Sequence, residues 1–82
     1  MKDQANKSCA VVVTYQPDAT ALLKLIGQLN KETDFVVIDN GSAHIDRLVD
    51  SITVYQRCRE LIRLDSNVGL ARALNIGIDW AR

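Results

Sequence analysis

Proline, glycine and aromatic residues are scarce in this 82-residue chain: one Pro, four Gly, one Phe, two Tyr and one Trp. That scarcity excludes collagen-like and Pro/Gly-rich disordered chains. No glycine precedes Gly27. The Gly-x-Gly-x-x-Gly turn of a dinucleotide fold is therefore missing after the first strand, and no Walker A loop occurs anywhere. An excess of charge of either sign is also lacking, because ten Lys and Arg balance ten Asp and Glu. Neither a basic nucleic-acid face nor an acidic tail is indicated, so no nucleic-acid partner is expected. No apolar run nears the roughly 20 residues of a membrane span. The start, Met1-Lys2-Asp3-Gln4-Ala5-Asn6-Lys7, has no secretory apolar core. The only cysteines, Cys9 and Cys58, are too few for a disulfide scaffold and lack metal-ligand spacing. They read as reduced, semi-buried hydrophobes of a cytoplasmic protein.

What is present is a pattern of apolar runs and helical stripes. The length allows one small domain with a modest core. Residues 1–8 read as a flexible leader, and 9–82 as the folded part. Cys9-Ala10-Val11-Val12-Val13-Thr14 is continuously apolar and β-branched, as in a strand covered on both faces. Pro17 ends that strand, and Asp18 is a good N-cap. A helix is expected over about Ala19 to Asn30, with Leu22, Leu25, Ile26 and Leu29 on one stripe. Phe35-Val36-Val37-Ile38-Asp39 reads as the second strand, and Asn40-Gly41-Ser42 as a turn. A helix from about Ala43 into the fifties carries Ile45, Leu48, Val49 and Ile52. Leu61-Ile62-Arg63-Leu64 reads as a short third strand. A last helix is expected from Gly69 to Ala81, with Leu70, Ala73, Leu74, Gly77, Ile78 and Ala81 on one face. Strand and helix alternate with short connections, which implies parallel strands and right-handed crossovers. The fold class is α/β: a three-layer, Rossmann-like half-domain with three strands and about three helices.

Ligands of open α/β sheets bind beyond the carboxyl ends of the strands. Asp39 stands there as a carboxylate able to accept from a base edge or ribose, or as a plain turn residue. Thr14, Tyr15 and Pro17 offer a hydroxyl, a ring and a rigid wall for a base pocket, or an ordinary strand-to-helix turn. Asn67 and Gly69 open the last helix toward an anion, or simply cap it. Arg72 is a phosphate-facing cation or a solvated charge. Asn75 is disfavoured inside a helix and suggests a side-chain bond that organises the preceding loop. His44 has no partner at a catalytic spacing. Cys58, between Arg57 and Arg59, invites a lowered pKa. Trp80 reads as an anchor at the edge of the core.

Three segments in order resemble the start of the family-two glycosyltransferases, with a rhamnosyltransferase-like flavour. They are Val11-Val12-Val13-Thr14-Tyr15-Gln16-Pro17-Asp18, Val36-Val37-Ile38-Asp39-Asn40-Gly41-Ser42, and Asn67-x-Gly69-x-x-x-Ala73-x-Asn75-x-Gly77. The resemblance covers about residues 9–82. It implies a GT-A fold and inverting hexosyl transfer from a nucleotide-sugar donor such as a dTDP- or UDP-sugar. It also implies nucleotide-binding roles for Thr14, Tyr15, Pro17, Asp39, Asn67 and Gly69, and for Arg72. A divalent metal, Mg or Mn, is implied for the full-length family, held by an Asp-x-Asp motif on the next strand. No Asp-x-Asp and no family catalytic base occur in this chain. The expectation is thus an amino-terminal part, incomplete relative to the family and inactive alone. In the full-length protein the setting is the cytoplasm, at or away from the membrane's cytoplasmic face. In the family strand 1 is interior, so here its free side predicts a homo-oligomer through the strand 1 edge or the last helix. A non-catalytic α/β nucleotide- or partner-binding module that self-associates is the alternative. A purely structural dimerisation domain is a third reading.

Overall fold

The computed structural model of the protein describes residues 9–82. The leader expected over 1–8 lies outside the described residues. The elements run β1 (Cys9–Thr14), α1 (Ala19–Gln28), β2 (Asp34–Asp39), α2 (Asp46–Thr53), β3 (Cys58–Arg63) and α3 (Leu70–Ala81). All three strands are parallel, in the order β1-β2-β3. The register pairs Val11 with Val36, Thr14 with Asp39, and Asp39 with Arg63. This is the expected α/β half-sheet.

Helices cover both faces, which explains the unbroken apolar runs of β1 and β2. On one face Leu22, Ile26, Phe35, Val37 and Ile52 form a core with Ala10, Val12, Leu48 and Leu61 around it. On the other, Val36, Ile38 and Ala73 pack with Val11, Val13, Ile62 and Ile76. Alternate strand residues feed alternate cores, as the pleat requires. Every residue of β2 is buried, whereas β1 and β3 are mostly half-exposed edges. Gly77 lets α3 lie close on the sheet: a Cβ there would collide with Val11 Cγ1 and sit 3.1 Å from Ile38 Cγ1. No helix among the described residues is long and apolar enough to cross a membrane.

Several boundaries differ from expectation, each for a local reason. Asp18 does cap α1, its Oδ1 accepting from Ala21 N–H at 3.0 Å. The helix stops at Gln28, because Asn30 Oδ1 accepts from Glu32 N–H at 2.8 Å and bends the chain into a turn. Leu25 is 48% exposed, and Leu23 packs on the core in its place. α2 begins at Asp46 rather than Ala43. The side chain of Ser42, the natural cap, is engaged elsewhere. β3 begins at Cys58, three residues before the apolar run. Arg59 and Glu60 are tolerated because β3 is an edge strand, with a register irregularity opposite Phe35 and Val36. On α3, Leu70 and Ile78 are exposed while Ala73 and Gly77 face the sheet. Trp80 is 40% exposed, at the end of α3 away from the strand tips. Asn75 is exposed and organises no loop; Asn40 does that work instead.

Candidate functional site

Parallel strands joined by crossovers bring all three strand ends to one rim. Thr14 Oγ1 donates to Asp39 Oδ1 at 2.9 Å, so the tips of β1 and β2 are joined directly. Ser42 Oγ donates to the same oxygen at 2.7 Å, and Ser42 N–H donates to Asp39 Oδ2 at 2.8 Å. Asp39 is 1% exposed. Its carboxylate therefore organises the rim from below rather than standing open to solvent.

The loops are stitched to one another around this group. Gln16 N–H donates to Ser42 Oγ at 2.7 Å, and Ala43 N–H donates to Gln16 Oε1 at 2.9 Å. Gln16 holds φ at +47°, a left-handed conformation uncommon for a residue with a side chain. The two reciprocal bonds offset that cost. Asn40 N–H donates to Thr14 C=O at 2.8 Å, and Leu64 N–H to Asp39 C=O at 2.9 Å. Buried Asn40 then accepts from Val68 N–H through Oδ1 at 2.9 Å, fixing the loop before α3. Gly41, at φ +85°, passes against that loop: a Cβ would lie 2.5 Å from Ser66 C. Only glycine fits there, on both counts.

Six of the seven residues expected at the site lie at the strand ends or in the loops that make this rim, and Arg72 lies in the first turn of α3. Thr14 and Asp39 are bonded beneath it. Tyr15 is 52% exposed beside them, and Pro17 is half-buried. Asn67 Oδ1 accepts from Gly69 N–H at 2.8 Å, a tight turn ahead of the helix and not a cap on it. Gly69, at φ +89°, is the N-cap, and its C=O accepts from Ala73 N–H at 3.1 Å. The amides of 70–72 precede the first intrahelical bond and face the rim end. Arg72 is exposed one turn in, with no ion pair among the described residues.

Sequence reading missed Gln16, Asn40 and Ser42 as organisers. Asn40-Gly41-Ser42 was legible as a turn, but its bonds cross 26 to 28 positions in the chain. Gln16 left no signal, since nothing in its type announces a left-handed turn. A shallow groove of 270 Å³ borders the rim, lined by Gln16, Pro17, Ser42, His44, Ile45 and Leu48. Among the described residues, no three His, Cys, Asp or Glu side chains group to hold a metal ion. Cys58 is also corrected: burial pushes its thiol up rather than down, with a backbone hydrogen bond at Glu60 opposing. Burial raises Cys9 likewise, helped by the charge of Asp34.

A parallel three-stranded sheet with helices on both faces and its loops gathered at the strand tips is an α/β, Rossmann-like half-domain. The chain belongs to glycosyl transferase family 2, whose profile matches residues 9–82. It is 36% identical over 75 residues to "dTDP-rhamnosyl transferase RfbF" of Shigella flexneri. That match takes in 88% of this chain and 24% of the relative, so the chain spans about a quarter of that relative's length. No solved structure matches.

Proposed function

We propose that residues 9–82 form the nucleotide-binding half of a sugar transferase that draws on a nucleotide-activated donor. The reading is supported most by the stitched rim, where three loops converge on Asp39 and Asn40 at the strand tips. Family membership points to a nucleotide sugar, and the relative's printed name to a dTDP-rhamnosyl group. The base would lie on the exposed ring of Tyr15 and against Pro17. Thr14 and Asp39 act beneath it as positioning residues, since both are buried and bonded to each other. The diphosphate would lie toward Asn67 and Gly69, with the free amides at the head of α3 and Arg72 supplying positive potential. Transfer of the hexosyl group with inversion, with a divalent metal and a catalytic base, requires groups that residues 9–82 do not carry. These residues bind donor without completing transfer. Two free thiols fit a reducing, cytoplasmic setting.

A second reading is favoured by one observation. Both oxygens of Asp39 are already engaged within the rim, as in a module built for binding without transferase chemistry.

Thermal melts with dTDP and UDP test the nucleotide reading. A bound nucleotide at a hundred times its Kd stabilises the fold by about 2.7 kcal/mol. The expected result is a higher Tm with at least one of them. Tyr15→Ala should abolish most of that shift and leave the unliganded Tm unchanged, because the ring is half exposed. Trp80 lies at the wrong end of α3 to report binding, so calorimetry is the second readout. No shift and no heat with either nucleotide overturns the proposal.

A further inference from the structure

Gln16 is held at two points by the loop that follows β2. Its backbone N–H donates to Ser42 Oγ at 2.7 Å, and its Oε1 accepts from Ala43 N–H at 2.9 Å. A backbone N–H only donates, so the carboxamide oxygen must be the atom that faces Ala43. The amide nitrogen shares a carbon and a plane with that oxygen, so its place is fixed too. It carries two N–H donors and has no hydrogen-bond partner among the described residues. The side chain has therefore given up its rotamer freedom without using its donors. A donor ordered in advance binds an acceptor without the ordering cost that a loose side chain would incur.

Gln16 also lines the 270 Å³ groove beside the rim, whose apolar walls are Pro17, Ile45 and Leu48. The groove is at the small end of ligand sites, which begin near about 300 Å³, and suits a single flat ring. The other polar side chains that line it are poorly placed to select a ligand. Ser42 Oγ is already engaged, donating to Asp39 and accepting from Gln16. His44 is exposed, and its ring has no hydrogen bond among the described residues to orient it. The Gln16 amide is thus the oriented polar group of the groove, and it asks for an acceptor.

We propose that Gln16 is a specificity-determining residue, whose amide N–H donates to a ring carbonyl of a pyrimidine base seated in this groove. The inference rests on the nucleotide reading above and adds to it the class of base. Pro17 belongs both to the wall assigned to the base and to the groove, so the two are continuous. Uracil and thymine suit the site because each is a flat ring with two carbonyl oxygens. Tyr15 and Pro17 supply contact area that any base could use, whereas the Gln16 donor distinguishes bases by what their edge accepts.

Calorimetric titration of the 82-residue chain with dTDP and UDP, and with the 2-thio and 4-thio analogues of whichever binds, tests it. Sulfur is a weak acceptor, so exchanging the recognised carbonyl oxygen for sulfur removes the bond. One of the two analogues should bind about three- to tenfold more weakly than its oxygen parent. Gln16→Met removes both the donor and the brace to Ala43. Gln16→Glu keeps an oxygen for Ala43 N–H and removes only the donor. In both variants, folded by far-UV circular dichroism, oxygen and sulfur nucleotides should bind alike. The oxygen-to-sulfur ratio cancels any general effect of the new side chain on nucleotide affinity, so a purely structural role for Gln16 would not move it. A ratio in Gln16→Glu equal to the parent's overturns the inference, because only the brace would then matter. A loss with sulfur that persists in both variants also overturns it, because it would reflect the size of the atom. Nucleotide binding by the parent with no discrimination between oxygen and sulfur sinks this inference alone. Absence of binding by both dTDP and UDP sinks the nucleotide reading and this inference with it.

Discussion

At the residue scale the rim depends on side chains with two partners each. Ser42 Oγ donates to Asp39 and accepts from Gln16 N–H. Ser42→Ala deletes both bonds and leaves a buried carboxylate with one donor fewer. Hydrogen bonds to charged groups contribute about 1.5–3 kcal/mol. Urea denaturation should show a loss in that range, and the left-handed Gln16 should relax. An unchanged midpoint would show that the loops are held elsewhere. Asp39 was visible in the sequence as a carboxylate at a strand end. What it binds was not, because its donors come from Thr14, 25 positions earlier, and from Ser42 just after it. A donor that far along the chain leaves no periodicity to read.

At the element scale the sequence was read well where one force dominated. β1 fell within its expected limits, and β2 gained only Asp34 at its start, because continuous β-branched runs have one stable use in a two-sided sheet. β3 was misjudged at its start, since an edge strand accepts Arg59 and Glu60 that apolar pattern reading discards. α3 shows the other direction. Gly77 was legible as a helix-disfavoured residue needing a packing reason, and Val11 and Ile38 supply it. Gly77→Ala gains about 1 kcal/mol of helix propensity. Overpacking against Val11 and Ile38 costs roughly 1–3 kcal/mol. The net expectation is destabilisation, read as a lower urea midpoint at unchanged slope. Gly69→Ala meets no neighbour within 4 Å and is penalised only by its φ of +89°, so the two variants separate packing from backbone strain.

At the scale of the whole molecule, stability is concentrated in β2 and falls toward both edges. The pH dependence of that stability follows from the thiols. Burial raises both cysteines above their ordinary value. Below that value the thiols are protonated in folded and unfolded chains alike, and their contribution is constant. As pH climbs past about 8.5, the unfolded chain ionises first and stability falls. Replacing both with serine should flatten the decline between about pH 8.5 and 10 in urea midpoints. A decline identical to the parent's would remove the thiols from the account. Sequence alone determined the alternation of strand and helix, the parallel sheet and the family, because apolar periodicity and turn residues act over a few positions. Only the tertiary structure decided which atoms close on Asp39, that Gln16 braces the loops, and that Gly77 brings α3 down onto Val11 and Ile38. Those facts arise where distant segments meet, and the energy that fixes them is burial and hydrogen bonding across the chain rather than along it.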